Sequence, residues 1–164
     1  RRHTAWAKGV RLLTDVGHRP IRASDVHLDE MVSVMPSTLR DIPDDDPARL
    51  NERAMSPVVL VRMDPAELDP TEGREDWHVD GIVAYSKICT HVVCPVSLYD
   101  RTTHHLLCPC HQATFDLADN GAVVFGPATR PLPQLPLELD DDGYLVARSD
   151  FTEAVGPSYW EREV

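Results

Sequence analysis

Long apolar runs are missing from this chain of 164 residues. No stretch approaches the roughly 18 apolar residues that a membrane-crossing helix needs, and no secretory leader is visible. Positive charge is also scarce: 16 Lys and Arg stand against 27 Asp and Glu, a formal net charge of −11. That balance argues against DNA or RNA as a partner. Internal repeats are absent, and cysteine is confined to four residues. The chain opens on Arg1 instead of methionine, as a mature product or an excised fragment would.

What remains is enough for one domain of ordinary size with a real core. Fourteen prolines and eight glycines spread along it favour short strands and many turns. The charge is uneven. Residues 1–22 hold six basic side chains (Arg1, Arg2, Lys8, Arg11, Arg19, Arg22) against Asp15 alone, which leaves −16 on the rest. A basic stem on an acidic body points to a stem near lipid or a partner and a solvated head. Ordinary surface variation is the competing reading.

Met31–Met35 and Pro57–Met63 are apolar and β-branched, as strands are. Between them Arg40–Met55 is acidic and proline-broken, a solvated loop with at most a helical turn from Pro47. Asp64 can cap a helical turn over Asp64–Asp69, with Pro65 at its first position. Gly81–Ser86 and His105–Leu107 are strands, each leading into a cysteine-containing box. Thr114–Asp116 and Ala122–Phe125 flank the turn Asp119-Asn120-Gly121, a hairpin signal. Gly126–Pro136 holds four prolines and cannot be a central strand. Leu135–Leu139 and Tyr144–Ala147 flank the acidic turn Asp140–Gly143 as a second hairpin. The expected class is an antiparallel all-β domain with the two boxes on loops.

The boxes are Cys89-Thr90-His91-Val92-Val93-Cys94 and Cys108-Pro109-Cys110-His111. Each offers one thiolate and one imidazole and leaves one cysteine over. Two sulfur–nitrogen pairs with a spare cysteine pair describe an iron–sulfur cluster bound by mixed ligands in a disulfide-braced site. Imidazole can replace sulfur on one iron of a 2Fe–2S cluster, and doing so raises the reduction potential. Structural zinc is the competing assignment, and it leaves the second cysteine pair without a role. A bridge closing roughly 15 residues contributes about 3 kcal/mol in the chain-entropy model and places the domain outside the reducing cytoplasm.

CTHxxC followed by CPCH resembles the Rieske iron–sulfur proteins, in particular the disulfide-containing kind of the cytochrome bc complexes. GPATRPLPQLPL, with Gly126 and Pro127, resembles that family's proline loop, which covers the cluster. YSKICTH, HHLLCPCHQATFDLADNG and VGPSYWER resemble the actinobacterial quinol–cytochrome c reductase subunit, in which the head follows membrane helices. The resemblance implies a Rieske fold: antiparallel sheets forming a base, with a small inserted cluster-binding subdomain. It divides the chain into a membrane-proximal stem (1–30), a first part of the base (31–86, with the acidic loop 40–55), a cluster-binding subdomain (87–130), a last part of the base (131–150) and a tail (151–164). It implies Cys89 and Cys108 on the buried iron, His91 and His111 on the exposed iron, and Cys94–Cys110 as the disulfide. It further implies electron transfer from quinol to a c-type cytochrome haem. The partners are cytochrome b and a c-type cytochrome, and the full-length protein is membrane-anchored with this domain soluble on the extracytoplasmic face. His111, then His91, is the expected quinol contact.

Three positions depart from the family pattern. Val93 stands where many members have Gly, which puts the shape of the first loop in question. Ala113 and Phe115 stand where high-potential members often carry Ser and Tyr, whose hydroxyls donate to sulfur. Thr114 has a hydroxyl, but strand alternation points it the other way. A low-potential centre matched to menaquinol is therefore expected. The alternatives are a soluble Rieske carrier serving an oxygenase, which usually lacks the spare cysteine pair, and a small Rieske subunit of another periplasmic oxidoreductase. His104 and His105 are expected as strand or surface residues, and His3, His18, His27 and His78 as surface. Trp6, Phe151, Tyr159 and Trp160 suit either a membrane interface or packing on the domain itself.

Overall fold

Val58–Val61 is apolar at four successive positions because both faces of its strand are covered. In this computed structural model, residues 5–40, 54–70, 72–88, 90, 96, 98–109, 113–126, 130–153 and 155 are described. Eleven short strands are defined among them: β1 (Leu12–Thr14), β2 (Met31–Pro36), β3 (Val58–Arg62), β4 (Ile82–Ser86), β5 (Leu98–Asp100), β6 (His105–Leu107), β7 (Thr114–Asp116), β8 (Ala122–Phe125), β9 (Gln134–Leu135), β10 (Leu137–Leu139) and β11 (Leu145–Ala147). The first sheet runs β1-β2-β3-β4-β9, the second β5-β6-β7-β8, and β10 pairs with β11. All the pairings are antiparallel. The protein is all-β, as expected, and no helix among the described residues is long and apolar enough to cross a membrane.

The five-stranded sheet is the middle layer. Val58 and Leu60 of β3, with Ile82 and Ala84 of β4, face one core shared with β1, β10 and β11. Val59, Val61, Val83 and Tyr85 face a second core, shared with the β5–β8 sheet. Period-two alternation thus sends successive residues of the same strands into different cores. Gly81 makes the entry to β4 possible. Its φ is +87°, and a Cβ there would collide with the Met63 carbonyl oxygen. Asp64 caps the turn after β3 as expected, accepting from the Ala66 N–H at 3.0 Å, with Pro65 at its first position.

The hairpin expected around Asp119-Asn120-Gly121 forms, with Asn120 left-handed at φ 58°. The hairpin expected around Asp140–Gly143 forms as well. Among the described residues of the proline-rich stretch, only Gln134–Leu135 pairs, as the edge strand β9 beside β4, where proline neighbours cost no interior ladder bonds. The acidic loop and its helical turn from Pro47 fall largely outside the described residues.

The N-terminal segment, expected as a stem, packs into the fold. Its residues Leu12–Thr14 form β1, and Trp6, Leu12, Leu13, Ile21 and Val26 are buried. Trp6 is no interface anchor: its indole donates to the Ser56 carbonyl at 2.8 Å inside the core. Three of its described basic residues, Lys8, Arg11 and Arg22, are paired within the fold. Arg11 meets Asp140 at 2.7 Å and Asp142 at 3.0 Å, and Lys8 meets Glu138 at 3.2 Å. Arg11 and Arg22 both lie over the Tyr144 ring, at 4.5 and 4.2 Å from its centroid. Part of the charge asymmetry along the sequence is therefore complementarity between the first strand region and the β10–β11 hairpin. At the other end, Phe151 and Val155 pack into the same core. Tyr159 and Trp160 lie outside the described residues.

Candidate metal centre

β6 carries the chain from the base of the second sheet straight to Cys108. Leu106 pairs with Phe115 and Leu107 with Thr114 across β6–β7. The Cys108 N–H then donates to the Ala113 carbonyl at 2.8 Å, closing the segment that bears the second box. The Val96 N–H donates to the Lys87 carbonyl at 2.7 Å and closes the first box in the same way. A third segment joins them, because the buried Thr90 hydroxyl donates to the Arg130 carbonyl at 2.8 Å. Gly126, at the start of the expected proline loop, has φ +98°, a conformation that favours glycine.

Cys108 is fully buried and forms no disulfide. Its neighbours in the second core include Ala113 and Phe115, both without exposed surface. Thr114 lies on the other, half-buried side of β7, as alternation requires. The two expected tuning positions therefore share the packed layer of Cys108, and neither side chain carries a hydroxyl. Of the other expected site residues, Cys89, His91, Cys94, Cys110, His111 and Pro127 lie outside the described residues, as does Val93.

A soft metal centre fits what is described. A buried thiol in apolar surroundings is a poor nucleophile and a good thiolate ligand once metal replaces its proton. The two boxes together hold the sulfur–nitrogen donor set of a mixed-ligand 2Fe–2S cluster. Cys89, Cys108, His91 and His111 are the residues that would hold it.

Sequence reading missed two features here. Thr90 lies between two box residues, yet its role is to tie the first box to Arg130. His104, expected as a strand or surface residue, is 8% exposed. Its ring contacts the Tyr99 hydroxyl at 2.8 Å and Glu67 at 3.0 Å. His105 does lie in β6, and His18 and His27 are exposed as expected. His78 is partly buried and accepts from the Gly81 N–H at 3.0 Å. Nearby, Tyr85 donates to the Leu117 carbonyl at 3.1 Å, and burial pushes its hydroxyl pKa up.

Comparison with known proteins supplies the family. Residues 34–136 match the family model described as Rieske [2Fe-2S] domain. Over 161 residues the chain is 49% identical to the cytochrome bc1 complex Rieske iron-sulfur subunit of Streptomyces lividans, covering 98% of this chain and 92% of that one. It is equally similar to the subunit of the same name from Streptomyces coelicolor, of which it covers 44%. The chain thus spans less than half of that longer relative. Among solved structures, the ferredoxin of carbazole 1,9a-dioxygenase from Nocardioides aromaticivorans IC177 aligns with 85% of this chain and 99% of its own. Its TM-score is 0.51 at 13% identity, a likeness of fold alone. With both boxes inside the matched residues, this chain belongs to the Rieske family, whose cofactor is a 2Fe–2S cluster with mixed cysteine and histidine ligands.

Proposed function

We propose that this chain takes electrons singly from a quinol, menaquinol in particular, and passes them to a c-type cytochrome haem as the Rieske subunit of a cytochrome bc complex. The observation that carries this reading is the similarity over 98% of the chain to relatives named as subunits of that complex. The buried, unbridged thiol of Cys108, at the base of the second box where its N–H meets the Ala113 carbonyl, supports the same chemistry.

In this reading Cys89 and Cys108 would hold one iron of the cluster, and His91 and His111 would hold the other. Cys94 and Cys110 form the disulfide between the two boxes, and Gly126 with Pro127 begins the covering proline loop. When bound, the cluster supplies a one-electron acceptor at a potential above that of all-cysteine clusters. His111 meets the quinol hydroxyl at the ring nitrogen that does not hold iron, and that nitrogen receives the proton. His91 is the second such contact. Ala113 and Phe115 keep hydroxyl donors away from the Cys108 layer, which lowers the potential toward the range of menaquinol. The full-length protein is membrane-anchored beside cytochrome b and a c-type cytochrome, with this domain on the extracytoplasmic face.

The test is purification of the native complex from membranes through a tag on the full-length chain. Reduced-minus-oxidised spectra are expected to show b and c haems, and a menaquinol analogue is expected to produce the EPR signal of the reduced centre. A tagged chain that brings down no haem, or that quinol does not reduce, overturns the assignment in favour of a soluble carrier.

A further inference from the structure

His104 sits where the two sheets meet, at the end of the β5–β6 connection, with a left-handed φ of 60°. Its backbone is pinned on both sides: its N–H donates to the Asp100 carbonyl, and its carbonyl accepts from Leu117. Its ring Nε2 lies 3.0 Å from Glu67 Oε2, and its Nδ1 lies 2.8 Å from Tyr99 Oη and 3.9 Å from Asp29 Oδ1. Asp29 and Glu67 belong to the base, from the turn before β2 and the turn after β3. Tyr99 belongs to β5 of the other sheet. One imidazole therefore joins two carboxylates of the base to a hydroxyl of the cluster sheet.

Counting protons decides its state. Nε2 faces a carboxylate and must carry a proton. If Nδ1 is bare, the Tyr99 hydroxyl donates to it, and Asp29 Oδ1, a fully buried oxygen with no hydrogen-bond partner among the described residues, is left without a donor. If Nδ1 carries a proton, it donates to Tyr99 Oη, and the hydroxyl is free to turn to Asp29. Three donors then meet three acceptors. A buried carboxylate oxygen left unpaired is costly. Among the described residues no Lys or Arg lies within 4 Å of either carboxylate, so the ring is also the one source of positive charge at hand. The other ionisable groups around it are acidic or phenolic: Tyr99 and Asp100 from β5, and Asp116 from β7.

We propose that His104 is a buried imidazolium that locks the cluster sheet onto the base, and that it acts as a positioning residue for β6 and the Cys108 it carries. With one ring proton fewer, two carboxylates would face a neutral ring and Asp29 would lose its donor. The lock requires neither histidine of the boxes.

The test uses the holo-domain with 15N-labelled histidine. Long-range proton–nitrogen spectra near pH 7, assigned against His104→Gln or Tyr99→Phe, are expected to place both His104 ring nitrogens at the protonated position. One protonated and one bare nitrogen overturns the proposal. Thermal melting of wild type and Glu67→Gln between pH 6 and 9 gives an independent reading (a range chosen around the ~6.5 of free histidine). The gap in Tm between them is expected to narrow as pH rises. A gap that stays constant across that range is the signature of a neutral hydrogen bond and equally overturns it.

Discussion

Ala113 and Phe115 occupy fully buried positions in the apolar layer around Cys108, and neither brings a hydroxyl into it. A hydrogen bond to a charged group contributes about 1.5–3 kcal/mol. At 59 mV per tenfold for one electron, each missing bond lowers a midpoint by up to roughly 60–130 mV. Ala113→Ser and Phe115→Tyr are therefore expected to raise the midpoint, by no more than that range each, because only the difference between redox states counts. An EPR-monitored redox titration of the two variants checks this. Midpoints equal to wild type in both would remove the tuning role. Both positions were readable in advance because they lie two and four residues beyond a box histidine, on a strand whose alternation is local. The surroundings of His104 were not. Its partners Asp29, Glu67 and Tyr99 lie up to 75 residues away in sequence, and no spacing rule connects them.

At the scale of elements, the β10–β11 turn is held by the segment that opens the chain. Asp140 accepts first from the Tyr144 N–H and then from Arg11, and these bonds hold its carboxyl below the usual carboxylate pKa. A lowered pKa in the folded state means stability that is fully present above the unfolded value of about 3.9. That stability is lost as pH falls further, through the folded value. Asp140→Asn is expected to lower Tm at pH 7 by a small amount, since the group is only partly buried, and to show less acid destabilisation below about pH 4 than wild type. Melting curves at stepped pH check both signs. The strands themselves were legible: β2, β3, β4, β6, β7, β8, β10 and β11 fall within a residue or two of where apolar pattern and turn residues placed them. β1 was not, because Leu12–Thr14 is a three-residue strand with little alternation to read, and its pairing with β2 is set by a partner more than 20 residues on.

For the whole molecule, the middle sheet is the structural link between base and cluster sheet. Tyr85 crosses from β4 into the second core and donates to the Leu117 carbonyl at 3.1 Å. Tyr85→Phe leaves that buried carbonyl without its partner, at a cost of about 1–3 kcal/mol. The loss is expected in chemical denaturation as a lower midpoint with an unchanged slope. A variant as stable as wild type would show that this hydrogen bond does not help hold the two sheets together. Cluster chemistry, β class and most strands were determined by the sequence itself, since ligand type, box spacing and alternation are properties of short segments. Only the tertiary structure decided that the basic N-terminal residues neutralise an acidic turn of their own domain. It alone placed Trp6 in the core and brought two carboxylates and a hydroxyl around one buried imidazole. Burial and ion pairing depend on which distant segments meet, and that is fixed when the sheets stack.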